Sequence, residues 1–276
     1  MSANGDGEII SSPAAITEFT GTALPSGWTS TAVVSGGQTT VTAGAANILG
    51  ATLTRNATAV AGSSVEAPVT LGANQSWGLV SGLNANDKMT FSVNSSGQLT
   101  AAVNDAFFNN ASSVIATGWT TSQHLFRIDW TSSTVTFNVD GVALWSHAFS
   151  AWLGGMKPFF TNSVGTGAAL SVGWLRTGPY AATGTYTSAV IAQPASVTWT
   201  SASWTATLPT GTGLTVKVRT GSTATPGSGW TGWSTVTSGT AISMVGRYLQ
   251  YQLTFTTSGS RFTTAALQSI QFTYNS

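Results

Sequence analysis

The sequence predicts an all-β protein built as two β-sandwich, jelly-roll-like domains in tandem. Three observations carry that expectation. His124 to His147 reads as three antiparallel strands in a row. Short β-runs broken by Gly, Ser and Asn recur along the whole chain, the mark of a sandwich or barrel. No segment holds a 3.6-residue apolar period over ten residues, which excludes an amphipathic helix.

In chain order, residues 1–15 are small and polar and read as a flexible lead-in. Thr39–Thr42, Ile48–Leu53, Val65–Leu71 and Trp77–Val80 follow as strands. Met89, Phe91 and Val93 alternate with polar residues, Ser95-Ser96-Gly97 turns the chain, and Leu99, Ala101 and Val103 return as a hairpin. In the central meander, Phe126, Ile128 and Trp130 alternate with Arg127 and Asp129. After a turn at Ser132-Ser133, Val135, Phe137 and Val139 alternate with Thr136 and Asn138. Asp140-Gly141 then makes a two-residue hairpin loop. That loop sets Val139 opposite Val142 and Phe137 opposite Leu144, and leaves Arg127, Asp129, Asn138 and Trp145 on the polar face. Phe159-Phe160 and Leu170–Leu175 close the first domain, residues 16–178. Thr177 to Gly184 reads as a linker, and residues 186–276 form a smaller sandwich.

Composition narrows the function classes. Only 6% of the 276 residues are charged, against roughly 25% in ordinary soluble proteins. Nine cations and eight anions supply no basic patch for nucleic acid. No apolar run of about 18 residues is present to insert in a membrane. Residues 1–10 lack the cationic start and apolar core of a signal peptide. The absence of cysteine excludes disulfides and thiolate metal sites. With the Thr/Ser/Gly-rich surface it points to an extracellular or cell-surface protein, or to a virion.

HLFRIDWTSSTVTFNVDGVALWSH resembles the meander of the concanavalin A-like lectin/glucanase superfamily, which includes laminin-G-type domains. Phe19 to Trp28 resembles the opening strand and turn of such domains in bacterial secreted proteins. Val216–Gly221, Trp230–Trp233 and Gly246–Tyr251 resemble the small β-sandwich modules that accompany them. The resemblance implies a lectin-type jelly roll, a glycan or polysaccharide partner, and sometimes a structural calcium ion held by oxygen ligands. Asn84, Asn86, Asp87 and Asp105 are the oxygen-rich loop candidates for it, unless they only make turns. No other cofactor is expected.

Some members of that superfamily are glucanases with a strand motif close to E-x-D-x-x-E, because retaining hydrolysis needs two carboxylates roughly 5 Å apart. Here only Glu8, Glu18 and Glu66 occur, and none has an acidic neighbour two or four positions away except Glu8, beside Asp6. Asp129 offers a single carboxylate. No strand-to-helix turn carries a nucleophilic serine, and His124 and His147 alone are too few for a zinc site. No catalytic residues are therefore expected.

Eleven Trp remain to be placed. Trp130, Trp174, Trp199 and Trp204 fall at core positions. Trp119, Trp145, Trp152, Trp230 and Trp233 do not, and a flat exposed indole suits a sugar ring. Phe107 to Asn110 is a similar mixture. Arg127 and Asp129, two apart on one strand, form either a local ion pair or a hydroxyl-binding set with Asn138 and Trp145; Trp230 and Trp233 make a second sugar surface. The expected function is thus a non-catalytic carbohydrate-binding or adhesion protein. The alternatives are a self-assembling surface filament, layer or virion subunit, and a glycoside hydrolase with an unrecognised site.

Overall fold

A computed structural model describes residues 2–3, 7–104, 110–149 and 154–275 of the chain. The described residues are all-β and fall into two compact units: Ala14–Pro179, and Met1–Pro13 together with Tyr180–Ser276.

The Ala14–Pro179 unit is a sandwich of two antiparallel sheets. One has seven strands in the order Ala111–Ala116, Leu99–Asn104, Lys88–Val93, Gln75–Ser81, Met156–Asn162, Ala51–Arg55 and Trp28–Ala32. The other has nine, running from the edge Val142–Ala148 through Thr134–Val139, Gln123–Trp130 and Ser63–Thr70 to Leu170–Val172, Ala45–Leu49 and Gln38–Thr42. Trp174–Thr177 also pairs with Ser63–Thr70 and carries Ala15–Glu18 on its far edge.

Alternation dictates the core. Phe126, Ile128 and Trp130 lie opposite Val139, Phe137 and Val135, and all six are buried. Across the sandwich, Trp77 stacks between Phe91 and Phe160, each at 5.6 Å, with Phe126 on its edge at 6.0 Å. The hairpin over 88–104 closes in the expected register, Phe91 opposite Ala101.

Three expectations change. Ile48–Leu53 is not one strand. Gly50, at φ +61°, breaks it and sends Ala45–Leu49 and Ala51–Arg55 into different sheets. A Cβ at Gly50 would come within 2.6 Å of the Val34 side chain. The last strand of the meander carries a bulge. Val139 meets Val142 as expected, but Asn138 meets Ala143 and Phe137 meets Trp145, so that Leu144 is the extra residue. Finally, the opening residues are not a loose lead-in throughout. Ile9–Ile10 pairs with Leu267 and Ala266, and Ile10 is fully buried.

The other unit is a single eight-stranded sheet folded over on itself. Its order is Ser2–Ala3, Ile9–Ile10, Ala266–Asn275, Ile191–Thr207, Ala241–Thr256, Gly213–Gly221 and Ser234–Val236, with Thr183–Thr187 also on Ala241–Thr256. The two long strands change partners along their length, helped by register shifts after Ala192 and Trp199. Trp204 and Ile270 from one layer thereby pack with Val216, Leu253 and Phe255 from the other.

Candidate active site

Sheet register brings sequence-distant charges onto the outer face of the nine-stranded sheet. Arg176 lies opposite Glu66, Glu66 opposite Arg127, and Arg127 opposite Asn138. Asp129 follows two residues after Arg127 and so shares its face. Glu18 lies opposite Trp174, two residues before Arg176. Asp6 and Asp105 lie outside the described residues. Of the other six acidic residues, three occupy this one face.

The groups are held closely. Arg127 donates from Nε and Nη2 to the two oxygens of Asp129, at 2.7 and 2.9 Å. Asn138 Nδ2 donates to Asp129 Oδ2 at 3.0 Å. Arg176 Nη1 stands 3.9 Å from Glu66 Oε1, and its guanidinium covers the Trp174 ring at 3.6 Å. Glu66, Asn138 and Arg176 are buried, whereas the Arg127 and Asp129 side chains keep 14% and 13% of their surface. At one end of the unit, burial lowers the Arg55 guanidinium from its ordinary value, and Nη1 donates to Thr177 Oγ1 at 3.0 Å.

The outer face of the seven-stranded sheet is a different material. Thr31, Thr52, Thr161, Ser76, Ser92 and Thr100 lie in one row across six strands. Two pairs in it bond directly, Thr52 with Thr161 at 2.7 Å and Ser92 with Thr100 at 2.8 Å. Its described strands carry no carboxylate, so the acid–base chemistry of glycoside cleavage has no group there among the described residues.

The other sequence-singled residues are placed as follows. Arg127, Asp129 and Asn138 come together as one bonded set. Trp145 does not join them. The bulge turns its indole inward, 5.5 Å from the Phe137 ring, where it packs on the main core. The polar-face position expected for it, and the sugar platform built on that position, are corrected accordingly. Trp230 and Trp233 lie in the other unit, on Arg219 at 5.3 and 4.4 Å. Trp230 Nε1 donates to the Thr223 carbonyl at 3.0 Å. Asn84 Nδ2 donates to Asp87 Oδ1 at 3.1 Å and its Oδ1 accepts from the Asn86 N–H at 3.0 Å, so the three residues build a turn. Asp105, Trp152 and Phe107–Asn109 lie outside the described residues. No group of three His, Cys, Asp or Glu suited to a metal ion occurs among the described residues. His124 bridges Ser122 Oγ at 2.8 Å and Asp140 Oδ2 at 2.6 Å. Sequence reasoning missed the approach of Glu66 and Arg176 to this set, because 110 positions part them and only register joins them.

No protein-family model matches the chain, and no curated protein matches it. Solved structures do. A glycosyl hydrolase family 16 protein of Mycobacterium smegmatis is 15% identical, covering 60% of this chain and 100% of its own, with a TM-score of 0.46. A β-1,3-glucanase of Mycobacterium marinum is 14% identical over 60% and 99%, with a TM-score of 0.47. A protein of Mycobacterium tuberculosis described as a pseudo β-1,3-glucanase is 13% identical over 60% and 98%, with a TM-score of 0.47. At such identities the likeness is one of fold. The sequence led to the expectation of a non-catalytic binding or adhesion protein that is no enzyme, and these findings run against it in what the matching proteins are described as. The three proteins are described as a glycosyl hydrolase, a β-1,3-glucanase and a pseudo β-1,3-glucanase.

Proposed function

We infer that the Ala14–Pro179 unit is a glycoside hydrolase acting on polysaccharide, with Glu66 and Asp129 as its carboxylate pair. The observation that supports this reading is the gathering of Glu18, Glu66 and Asp129 on one sheet face, with Arg127 and Arg176 beside them. Glycosidic cleavage needs one carboxylic acid to protonate the leaving oxygen and one carboxylate on the other side of the bond. Glu66 and Asp129 stand on adjacent antiparallel strands as diagonal neighbours. Retaining cleavage places the two carboxyl groups ~5 Å apart and inverting cleavage ~6.5–9.5 Å apart, and the anomer of the first product tells which geometry operates. Asp129, fixed by three hydrogen bonds, is one carboxyl group of the pair, and Glu66, facing Arg176, is the other. Arg127 and Asn138 hold Asp129 in one orientation and are positioning residues. A polysaccharide substrate agrees with a protein that acts outside the cell or on its surface.

The test is release of reducing ends from a panel of soluble β-glucans, followed by proton NMR of the first anomer formed. Activity in the wild type and its loss in Asp129→Asn with the fold intact by circular dichroism support the reading. No release from any glucan, or unchanged release by Asp129→Asn and Glu66→Gln, overturns it.

A further inference from the structure

The Met1–Pro13/Tyr180–Ser276 unit holds a cavity of its own, of about 440 Å³, between the end of Gly213–Gly221 and the strand Ala241–Thr256. Its floor is peptide backbone. Gly221 and Gly246 leave that floor bare, and neither position accepts a side chain. A Cβ on Gly221 would meet the Trp230 ring at 2.4 Å, and one on Gly246 would meet the Thr220 Cβ at 2.9 Å.

The wall on one side is a locked loop. Ser222 N–H donates to the Gly229 carbonyl at 3.2 Å, Thr231 N–H to the Thr220 carbonyl at 2.8 Å, and Thr220 N–H to Thr231 Oγ1 at 3.0 Å. Trp230 is the pin of that loop, flat against Gly221 and over Arg219. On the other side stand Ser196, at the bulge of Ile191–Thr207, and Arg247. The floor is braced from below by Trp199 Nε1, which donates to the Gly246 carbonyl at 3.0 Å. A cavity walled by fixed hydroxyls and peptide groups is built before any ligand arrives, which lowers the ordering cost of binding.

Arg247 decides the ligand. It is the single charged residue of the lining. Its Nε donates to the Gln193 carbonyl at 2.9 Å, and its guanidinium rests by the Tyr248 ring at 5.3 Å. Arg127 and Arg176 in the other unit each face a carboxylate, but among the described residues no carboxylate is paired with Arg247. Its terminal amino groups present a planar fork suited to a carboxylate. Ser196 and Ser222 beside it suit sugar hydroxyls, and exposed Val245 suits the apolar face of a pyranose.

We propose that this cavity is a binding site for a carboxylate-bearing sugar, a uronate residue of an acidic polysaccharide, with Arg247 as the carboxylate ligand. Trp230 packs against Gly221 behind the wall, and neither it nor Trp233 is part of the lining. The choice of a sugar over a simple anion rests on the reading of the chain as polysaccharide-directed; the choice of an anion rests on Arg247 alone.

Isothermal titration of the full chain with oligogalacturonate, a neutral gluco-oligosaccharide of equal length, and inorganic phosphate separates these. The expected result is binding of the uronate oligomer alone, weakened roughly tenfold or more by Arg247→Gln and unchanged by Asp129→Asn. Reducing-end release by Arg247→Gln should match that of the wild type, so the two sites fail independently. Equal binding of the neutral oligomer, binding of phosphate as tight as that of the uronate, or full binding by Arg247→Gln overturns the proposal. Gly246→Ala, which lifts the floor without touching charge, should weaken uronate binding as well, and retention of binding there counts against the cavity as the site.

Discussion

The two outer faces of the Ala14–Pro179 sandwich obey the same alternation and carry opposite materials. One presents Arg176, Glu66, Arg127 and Asn138 in a cross-strand row, with Asp129 and Glu18 alongside. The other presents Thr31, Thr52, Thr161, Ser76, Ser92 and Thr100 in a row of the same kind. In a chain with 6% charged residues, gathering charge on one face is a local concentration, not a property of the surface at large. A buried or half-buried charge must keep its partner, whereas a threonine hydroxyl finds water when its neighbour is gone.

The largest effect should follow Glu66→Ala. It removes the carboxylate 3.9 Å from the buried Arg176, and losses of about 3 kcal/mol are typical of a broken buried pair. A urea melt that shows less than half that loss would mean that Arg176 is neutralised elsewhere. Asp129→Ala removes both oxygens from the Arg127 fork and the partner of Asn138 Nδ2. With those side chains partly exposed, about 1–2 kcal/mol is expected, and high salt should shrink the difference. Thr161→Val deletes one half-exposed hydroxyl pair and should cost under about 1 kcal/mol; a cost equal to that of Glu66→Ala would erase the contrast between the faces.

A fourth test sits in the other unit and serves as a control that neither face should influence. Burial, with Tyr186 beside it, pushes the Tyr251 phenol up to about 12. An unfolded phenol titrates near pH 10, so the folded chain holds a proton that the unfolded chain has lost between these values. The stabilisation is complete below about pH 10 and falls as the pH rises toward the folded value. Thermal melts of Tyr251→Phe should lose less stability over that alkaline range than the wild type. Parallel curves would show that the phenol is not the group responsible.

Much of the fold was legible because period-two patterning with a buried face admits one register. Phe126, Ile128 and Trp130 met the partners that the pattern assigned to them. Asp140, at φ +49°, and Gly141, at φ +81°, form the left-handed pair that a tight hairpin requires. The failures have a common cause. A bulge adds one residue on one strand without a distinct residue type to announce it, and it moved Trp145 from the polar face onto Phe137. Gly50 looked like an interior glycine of one apolar run, yet its positive φ switches the chain between sheets. The acidic cluster was invisible for another reason. The search for paired carboxylates looked along strands, where Glu66 has no acidic neighbour, whereas the pairing runs across them.

What the sequence determined by itself is therefore the alternation: which residues point inward, where the tight turns fall, and that no helix competes. Those choices depend on neighbours within a few residues, so local sterics and burial settle them. Only the tertiary structure decided which strands lie side by side. That choice put Glu66 against Arg127 and Arg176, lined up six hydroxyls on the opposite face, and formed an open cavity beside Arg247. Strand order is set by packing over the whole core, and no short stretch of residues contains it.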